Sequence, residues 1–311
     1  MSSYSSHRNV PYPGAPPDSL RQRLDLFLPS SSSPQHPLLV FIHGGAWRSE
    51  SKDDFTNTLV PNLLKHTGLP LAVLEYRLAP AHPHPAQIND VVAGLSLVTS
   101  GELLRLEDGE AKWDRSKLII AGHSAGAFMA ASLVLRPPSS PSSSSASASP
   151  VPPPSFSVPT VVRRAITGII CIDGIYDLPS LLDEYPTYAS FVNEAFGVDP
   201  AVLAAESPAR WELYDDDAAE GRKERVLVLH SKEDELLSLR QPRVFLQRMK
   251  QLYGSGKQEG GNEKTADDPV DEREEQDLPD NVEVDFGSVR GTHDELLRTE
   301  ELAKVIALRL R

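Results

Sequence analysis

Apolar positions fall into short continuous runs, separated by longer stretches in which they recur every three to four residues. Residues 20–28 alternate apolar and polar side chains, the period of a half-buried strand. The runs at 38–42, 71–76, 118–121, 166–172, 226–230 and 282–286 are β-branched or aromatic throughout most of their length, which predicts strands buried on both faces. Helical spacing occupies 87–99, 125–135, 242–253 and 295–310. Strand and helix in alternation predict an α/β fold, a mostly parallel central sheet flanked by helices. The segment 177–215 breaks the rhythm with short aromatic-rich helical patterns and is expected to form a small helical cap over the strand ends.

Two segments change this picture only by addition. Residues 137–159 are almost entirely Ser, Pro and Ala, and 254–280 are acidic and nearly without large apolar side chains. Neither buries enough apolar area to offset the entropy of ordering it, so both are expected to be disordered insertions in one domain spanning 1–311. The net charge of −13 argues against affinity for nucleic acid or an anionic membrane. About half of that excess lies in 255–280, where ten acidic residues face three basic ones. No apolar run reaches a membrane-spanning length, and the N-terminus lacks a basic region followed by an apolar stretch, so a cytoplasmic protein is expected. The one cysteine, Cys171, excludes an internal disulfide, leaves too few thiolates for a structural zinc site, and reads as a small core residue.

Ligands of an open α/β sheet bind beyond the carboxyl ends of the strands, which directs attention to the residues just after each run. His43, Gly44, Gly45, Ala46 and Trp47 follow the run at 38–42, and consecutive glycines let backbone N–H groups converge on an anion. The stretch AGHSAG follows 118–120 and places Ser124 between Gly122 and Gly126. This is the pattern of a strand-to-helix nucleophile elbow, and the N–H of Ala125 would join those of Gly44 and Gly45 in an oxyanion hole.

A serine hydroxyl needs a base, expected late in the chain. His293, just past the last strand run, occupies that position, whereas the other histidines precede the serine, lie in the elbow or end a strand. The acid is expected after the preceding strand, where Glu233, Asp234 and Glu235 stand together. Position does not separate the three; the shorter aspartate side chain would hold an imidazole more tightly, and its neighbours read as solvated charges. Tyr76 and Arg77 are expected to fix the neighbouring loop, and Asp90 to be a structural acid on a helix face.

HGGAW, YRLAP at 76–80 and GHSAGA at 122–127 resemble the hormone-sensitive-lipase and carboxylesterase branch of the α/β-hydrolases. The stretches DGIYDLPSLLDEYPTYASFVNEAFG at 173–197, HSKEDELLSLRQ at 230–241 and THDEL at 292–296 resemble the compact fungal type of kynurenine formamidase. The resemblance leaves out the N-terminal tail and the two insertions. It implies an α/β-hydrolase fold with Ser124 as nucleophile, Asp234 as acid and His293 as base. It further implies hydrolysis of N-formyl-L-kynurenine to L-kynurenine and formate, a step of tryptophan degradation feeding NAD synthesis, with no metal or organic cofactor. Trp47, Phe191, Asn193 and Phe196 are candidates for the wall around the substrate's ring. A homodimer is compatible with such a hydrolase. The alternatives are a carboxylesterase of broad specificity with the same triad, and a noncatalytic small-molecule receptor on the same fold.

Overall fold

Each apolar run becomes a strand of one sheet in the computed structural model, which describes residues 4–103, 111–138, 156–254 and 277–310. The two expected insertions, 137–159 and 254–280, lie largely outside the described residues. The strands are β1 (Tyr4–Pro11), β2 (Arg23–Pro29), β3 (Leu38–Ile42), β4 (Leu71–Leu74), β5 (Leu118–His123), β6 (Ile166–Ile172), β7 (Arg225–Leu229) and β8 (Val282–Asp285). Their order across the sheet is β1-β2-β4-β3-β5-β6-β7-β8. β1 and β2 pair antiparallel, as do β2 and β4, and every later pairing is parallel.

Two-residue periodicity divides the side chains of these strands between two cores. On one face Leu39, Phe41, Val73, Ala121 and Ile170 pack with α1 (Leu59–Thr67) and α10 (Glu300–Arg309). On the other, Val40, Ile42, Leu74, Ile120 and Val228 meet α2 (Ala86–Thr99), α3 (Ala125–Val134) and α9 (Arg240–Tyr253). α3 is buried along its whole length, which explains why AGAFMAASLV has no polar face. Between β6 and β7 the chain forms α5 (Leu178–Glu184), a 3-10 turn at Pro186–Tyr188, α6 (Ala189–Phe196), α7 (Pro200–Ala205) and α8 (Asp215–Glu220); the short α4 (Thr160–Ala165) precedes β6. The helix expected over 295–310 is instead a 3-10 turn at Leu296–Arg298 followed by α10. The side chain of Thr299 accepts from Leu302 N and caps the new start.

The N-terminal tail, for which the apolar pattern predicts no element, is the sheet's edge. Tyr4–Pro11 is exposed along most of its length and carries no apolar alternation. Charge holds it in place. Arg8 donates to Asp25 at 2.7 Å and to Asp53 at 2.6 Å, and the backbone N of Asn9 donates to the other Asp25 oxygen at 2.7 Å. The buried Lys52 ammonium reaches Asp25 at 3.1 Å, so the buried carboxylate is neutralised from both sides. Cys171 is buried near the carboxyl end of β6, where burial pushes its thiol up to about 12 against a smaller opposing effect of Tyr176.

Candidate active site

Chain direction makes the crevice. β4 lies on one side of β3 and β5 on the other, so the connections leaving β3 and β5 diverge, and the space above their carboxyl ends is left open. Ile42 and Gly122 are register partners there, which places HGGAW beside AGHSAG.

The glycines follow from close approach. A Cβ on Gly122 would lie 2.2 Å from Gly126 O, and one on Gly126 would lie 2.1 Å from Ile42 O. Only glycine lets α3 start this tightly against β3 and β5. Between them Ser124 has φ 54° and ψ −117°, a strained conformation for a non-glycine residue, which turns its side chain out of the strand. Its backbone N donates to Ile172 O at 2.9 Å, and the residue is almost fully buried. Gly44 passes over it: a Cβ there would lie 3.1 Å from Ser124 Cβ and 2.9 Å from His123 Nδ1.

Positive φ at Gly45, Ala46 and Trp47 curls the loop after β3. The Tyr76 hydroxyl donates to the carbonyls of His43 and Gly44, and the Gly45 carbonyl accepts from Arg48 N at 3.0 Å, Ser49 N at 2.9 Å and Ser49 Oγ at 2.8 Å. Every carbonyl from His43 to Gly45 is therefore occupied by the protein. Among the described residues the N–H groups of Gly44, Gly45 and Ala125 have no backbone acceptor, as a site for a developing oxyanion requires. His43 stacks on Tyr76 with ring centroids 4.1 Å apart, and its Nε2 lies 3.1 Å from Glu75 Oε1. Glu75 also accepts from Lys52 N at 3.1 Å, so the charge network of the sheet edge continues to the base of this loop. Arg77 and Asp90 form a bidentate pair at 2.8 and 2.9 Å, a structural clamp.

His293 lies in the loop after β8, buried, with Nδ1 2.7 Å from Asp234 Oδ2. Asp234 Oδ1 accepts from Leu236 N at 2.8 Å and Leu237 N at 2.9 Å, which fixes the carboxylate plane. Burial opposes charge on both members. The hydrogen bond and attraction between them outweigh it, so the Asp234 carboxyl is held below the usual carboxylate range and the His293 imidazole above its usual value. His123 Nε2 donates to the His293 carbonyl at 2.9 Å, and burial together with His293 pushes the His123 imidazole well down, keeping it neutral. The Ser124 hydroxyl makes no hydrogen bond among the described residues.

Glu233 and Glu235 are exposed, as solvated charges are, and each also accepts one backbone hydrogen bond. Glu233 accepts from Gly291 N at 3.0 Å and Glu235 from His293 N at 2.9 Å. Three successive carboxylates thus grip the histidine loop, two by its backbone and one by its ring. Their run directly after a strand end was the available signal, but backbone acceptors leave no pattern in a sequence.

Of the candidates for the substrate wall, Trp47, Phe191 and Phe196 pack on one another in the core. The Trp47 indole is enclosed, 1% exposed, with ring centroids 4.9 Å from Phe196, 5.3 Å from Phe128 and 6.2 Å from Phe191. Asn193, on the same helix as Phe191 and Phe196, is exposed. Tyr185 and Tyr188 lie in the aromatic-rich stretch 177–215, but their pattern does not single them out. These tyrosines stack at 4.9 Å, Tyr188 donates to Leu236 O at 2.9 Å, and Tyr185 accepts from Ser238 N at 3.1 Å, tying this wall to the Asp234 turn. Among the described residues two groups carry metal-ligand atoms within 4.8 Å of one another: His123, His293 and Asp294, and Asp173, His230 and Asp234. In each group a key ligand atom is already engaged, His123 Nε2 by the His293 carbonyl and Asp234 Oδ2 by the His293 ring.

A parallel sheet, a strained serine at a strand-to-helix turn and a late histidine paired to an acid define a serine hydrolase architecture. A family model for the α/β hydrolase fold matches residues 39–253, and the chain belongs to that family. Within it, the chain belongs with the kynurenine formamidases. It is 31% identical to the kynurenine formamidase of Meyerozyma guilliermondii over 217 residues, covering 68% of this chain and 71% of that protein. The kynurenine formamidase of Scheffersomyces stipitis is 28% identical, with 72% and 81% covered, and that of Saccharomyces cerevisiae 27% identical, with 67% and 74% covered. Among solved structures, a truncated carbohydrate esterase from gut microbiota superposes with a TM-score of 0.68 at 18% identity, covering 99% of this chain and 95% of that one. Carboxyl esterase 2 of Tuber melanosporum gives 0.61 at 16% identity, with 99% and 86% covered. At these identities the structures share the fold. Among the described residues no helix is long and apolar enough to cross a membrane.

Proposed function

We propose that this chain hydrolyses N-formyl-L-kynurenine to L-kynurenine and formate, with Ser124 as nucleophile, His293 as base and Asp234 as its acid. The observation that carries the reading is the 2.7 Å contact from His293 Nδ1 to Asp234 in a fold whose serine is turned out between Gly122 and Gly126. The relatives named for this reaction supply the substrate.

Asp234 keeps the proton of His293 on Nδ1, which leaves Nε2 as a base. Ser124 Oγ attacks the formyl carbon while its proton passes to His293 Nε2. The carbonyl oxygen becomes an oxyanion held by the N–H groups of Gly44, Gly45 and Ala125, each such donor contributing about 3 kcal/mol in the transition state. The C–N bond breaks as His293 returns the proton to the departing aryl amine, a better leaving group than an alkyl amine. Water, deprotonated by the same imidazole, then releases formate from formyl-Ser124.

Absorbance assays of kynurenine formation, run beside p-nitrophenyl acetate, test the substrate. Ester turnover without kynurenine would move the function to a carboxylesterase. The pH profile tests the base. Because His293 must be neutral to act and its imidazole is raised, kcat/KM should fall as pH drops through a midpoint above the ordinary histidine value of about 6.5. A midpoint below that value would contradict the assigned pair.

A further inference from the structure

Behind Asp234 lies a second acid and imidazole that the mechanism above does not use. Asp173 follows β6 with φ 42°, and His230 follows β7; both are fully enclosed. Asp173 Oδ1 accepts from Ser231 N at 2.8 Å and lies 3.5 Å from His230 Nδ1. At its other edge the His230 ring donates from Nε2 to Leu237 O at 3.0 Å, and the same nitrogen is 3.7 Å from Asp234 Oδ2. Residues 231–237 are the turn that presents Asp234. Its first N–H is thus held by Asp173 and its last carbonyl by His230, while Asp234 Oδ1 takes the N–H groups of Leu236 and Leu237 from within.

We propose that Asp173 and His230 are positioning residues, a buried pair that fastens the Asp234 turn from beneath at both ends and carries no net charge. The inference rests on the reading of Asp234 and His293 as acid and base. Neutrality follows from the contacts. A carbonyl only accepts, so His230 Nε2 carries a hydrogen, and Nδ1 and Asp173 Oδ2 have no hydrogen-bond partner among the described residues. An ionised Asp173 would have one backbone donor, and the titratable groups bearing on the pair are the acids Asp234 and Glu235, His293 and the neutral His123. Two buried carboxylates so close do not both ionise when one imidazole is already claimed by Asp234. One proton is therefore held between Asp173 and His230. Burial and Asp234 push the Asp173 carboxyl well up, and burial pushes the His230 imidazole down, both in the direction of a neutral pair. Asp234 then remains the sole ionised partner of the His293 ring.

Asp173→Asn, His230→Gln and His230→Ala test this, with kcat/KM measured against pH and melting temperature recorded for each. Both N-formyl-L-kynurenine and p-nitrophenyl acetate are used, so that a wrong substrate still leaves the ratio of variant to parent readable, and Ser124→Ala reports separately whether the triad reading holds. Asn copies a protonated acid, so Asp173→Asn should keep kcat within about threefold and leave the acid-limb midpoint in place. His230→Ala should lower kcat about 30-fold with little change in KM. His230→Gln, whose amide still donates to Leu237 O, should recover most of that loss. Two results would overturn the proposal. One is a drop of a full pH unit in the midpoint of Asp173→Asn, which would mean that a charged Asp173 supports the imidazolium. The other is His230→Gln as slow as His230→Ala at equal melting temperature.

Discussion

Ser124→Ala is expected to lower kcat/KM for N-formyl-L-kynurenine by about 10⁶-fold, the order found when a serine nucleophile is removed, and to leave the melting temperature within about 3 °C of the parent. The two halves of this expectation have separate origins. Activity is lost because no other hydroxyl stands at the turned-out position between Gly122 and Gly126. Stability is kept because the Ser124 hydroxyl has no hydrogen bond to lose among the described residues. The strain at φ 54° is a backbone cost that alanine bears equally. Melting curves by circular dichroism and a stopped absorbance assay read both. Retained turnover would mean that another group attacks the formyl carbon.

Asp234→Asn should lower kcat by about 10⁴-fold, for a reason visible in the hydrogen bonds. Two backbone N–H groups, from Leu236 and Leu237, point at Asp234 Oδ1. An asparagine keeps its carbonyl oxygen on those donors, which turns its NH₂ toward His293. The ring must then accept at Nδ1, so its hydrogen moves to Nε2, the atom that has to receive the serine proton. The variant holds its histidine in place in the wrong tautomer. Glu233→Gln and Glu235→Gln differ because each carboxylate serves one backbone N–H that a glutamine oxygen still satisfies, and each should cost at most about tenfold. Side-by-side kcat values decide the matter; a larger loss from Glu235→Gln than from Asp234→Asn would reassign the acid.

The parts of this molecule that sequence discloses are those written in side-chain pattern. β3, β5, β6 and β7 are legible because a strand covered on both faces must be apolar at every position. The elbow is legible because two contacts near 2 Å forbid a side chain at Gly122 and Gly126, and that prohibition is itself a pattern. β1 is not, since YSSHRNVP pairs through its backbone and is held by Arg8, whose partners lie 17 and 45 residues away. Glu233, Asp234 and Glu235 are equivalent by position and become distinct only when the loop of Gly291 and His293 is laid against them. Trp47 is legible as a residue beside the oxyanion loop, while its enclosure by Phe128, Phe191 and Phe196 comes from three separate segments meeting.

Cys171 gives the protein a built-in reporter. With its thiol pushed up to about 12 and its side chain fully buried, Cys171 is held in its unreactive thiol form at pH 8. A thiol-selective reagent added to the native protein therefore has one target in the chain, and reaches it when the buried side chain is exposed by opening of the structure. The labelling rate under native conditions measures how often the sheet opens, and the number can be compared between variants without denaturant. A hydrolytic activity that survives the reagent on the timescale of an assay then does not depend on the thiol, because the chain has one cysteine.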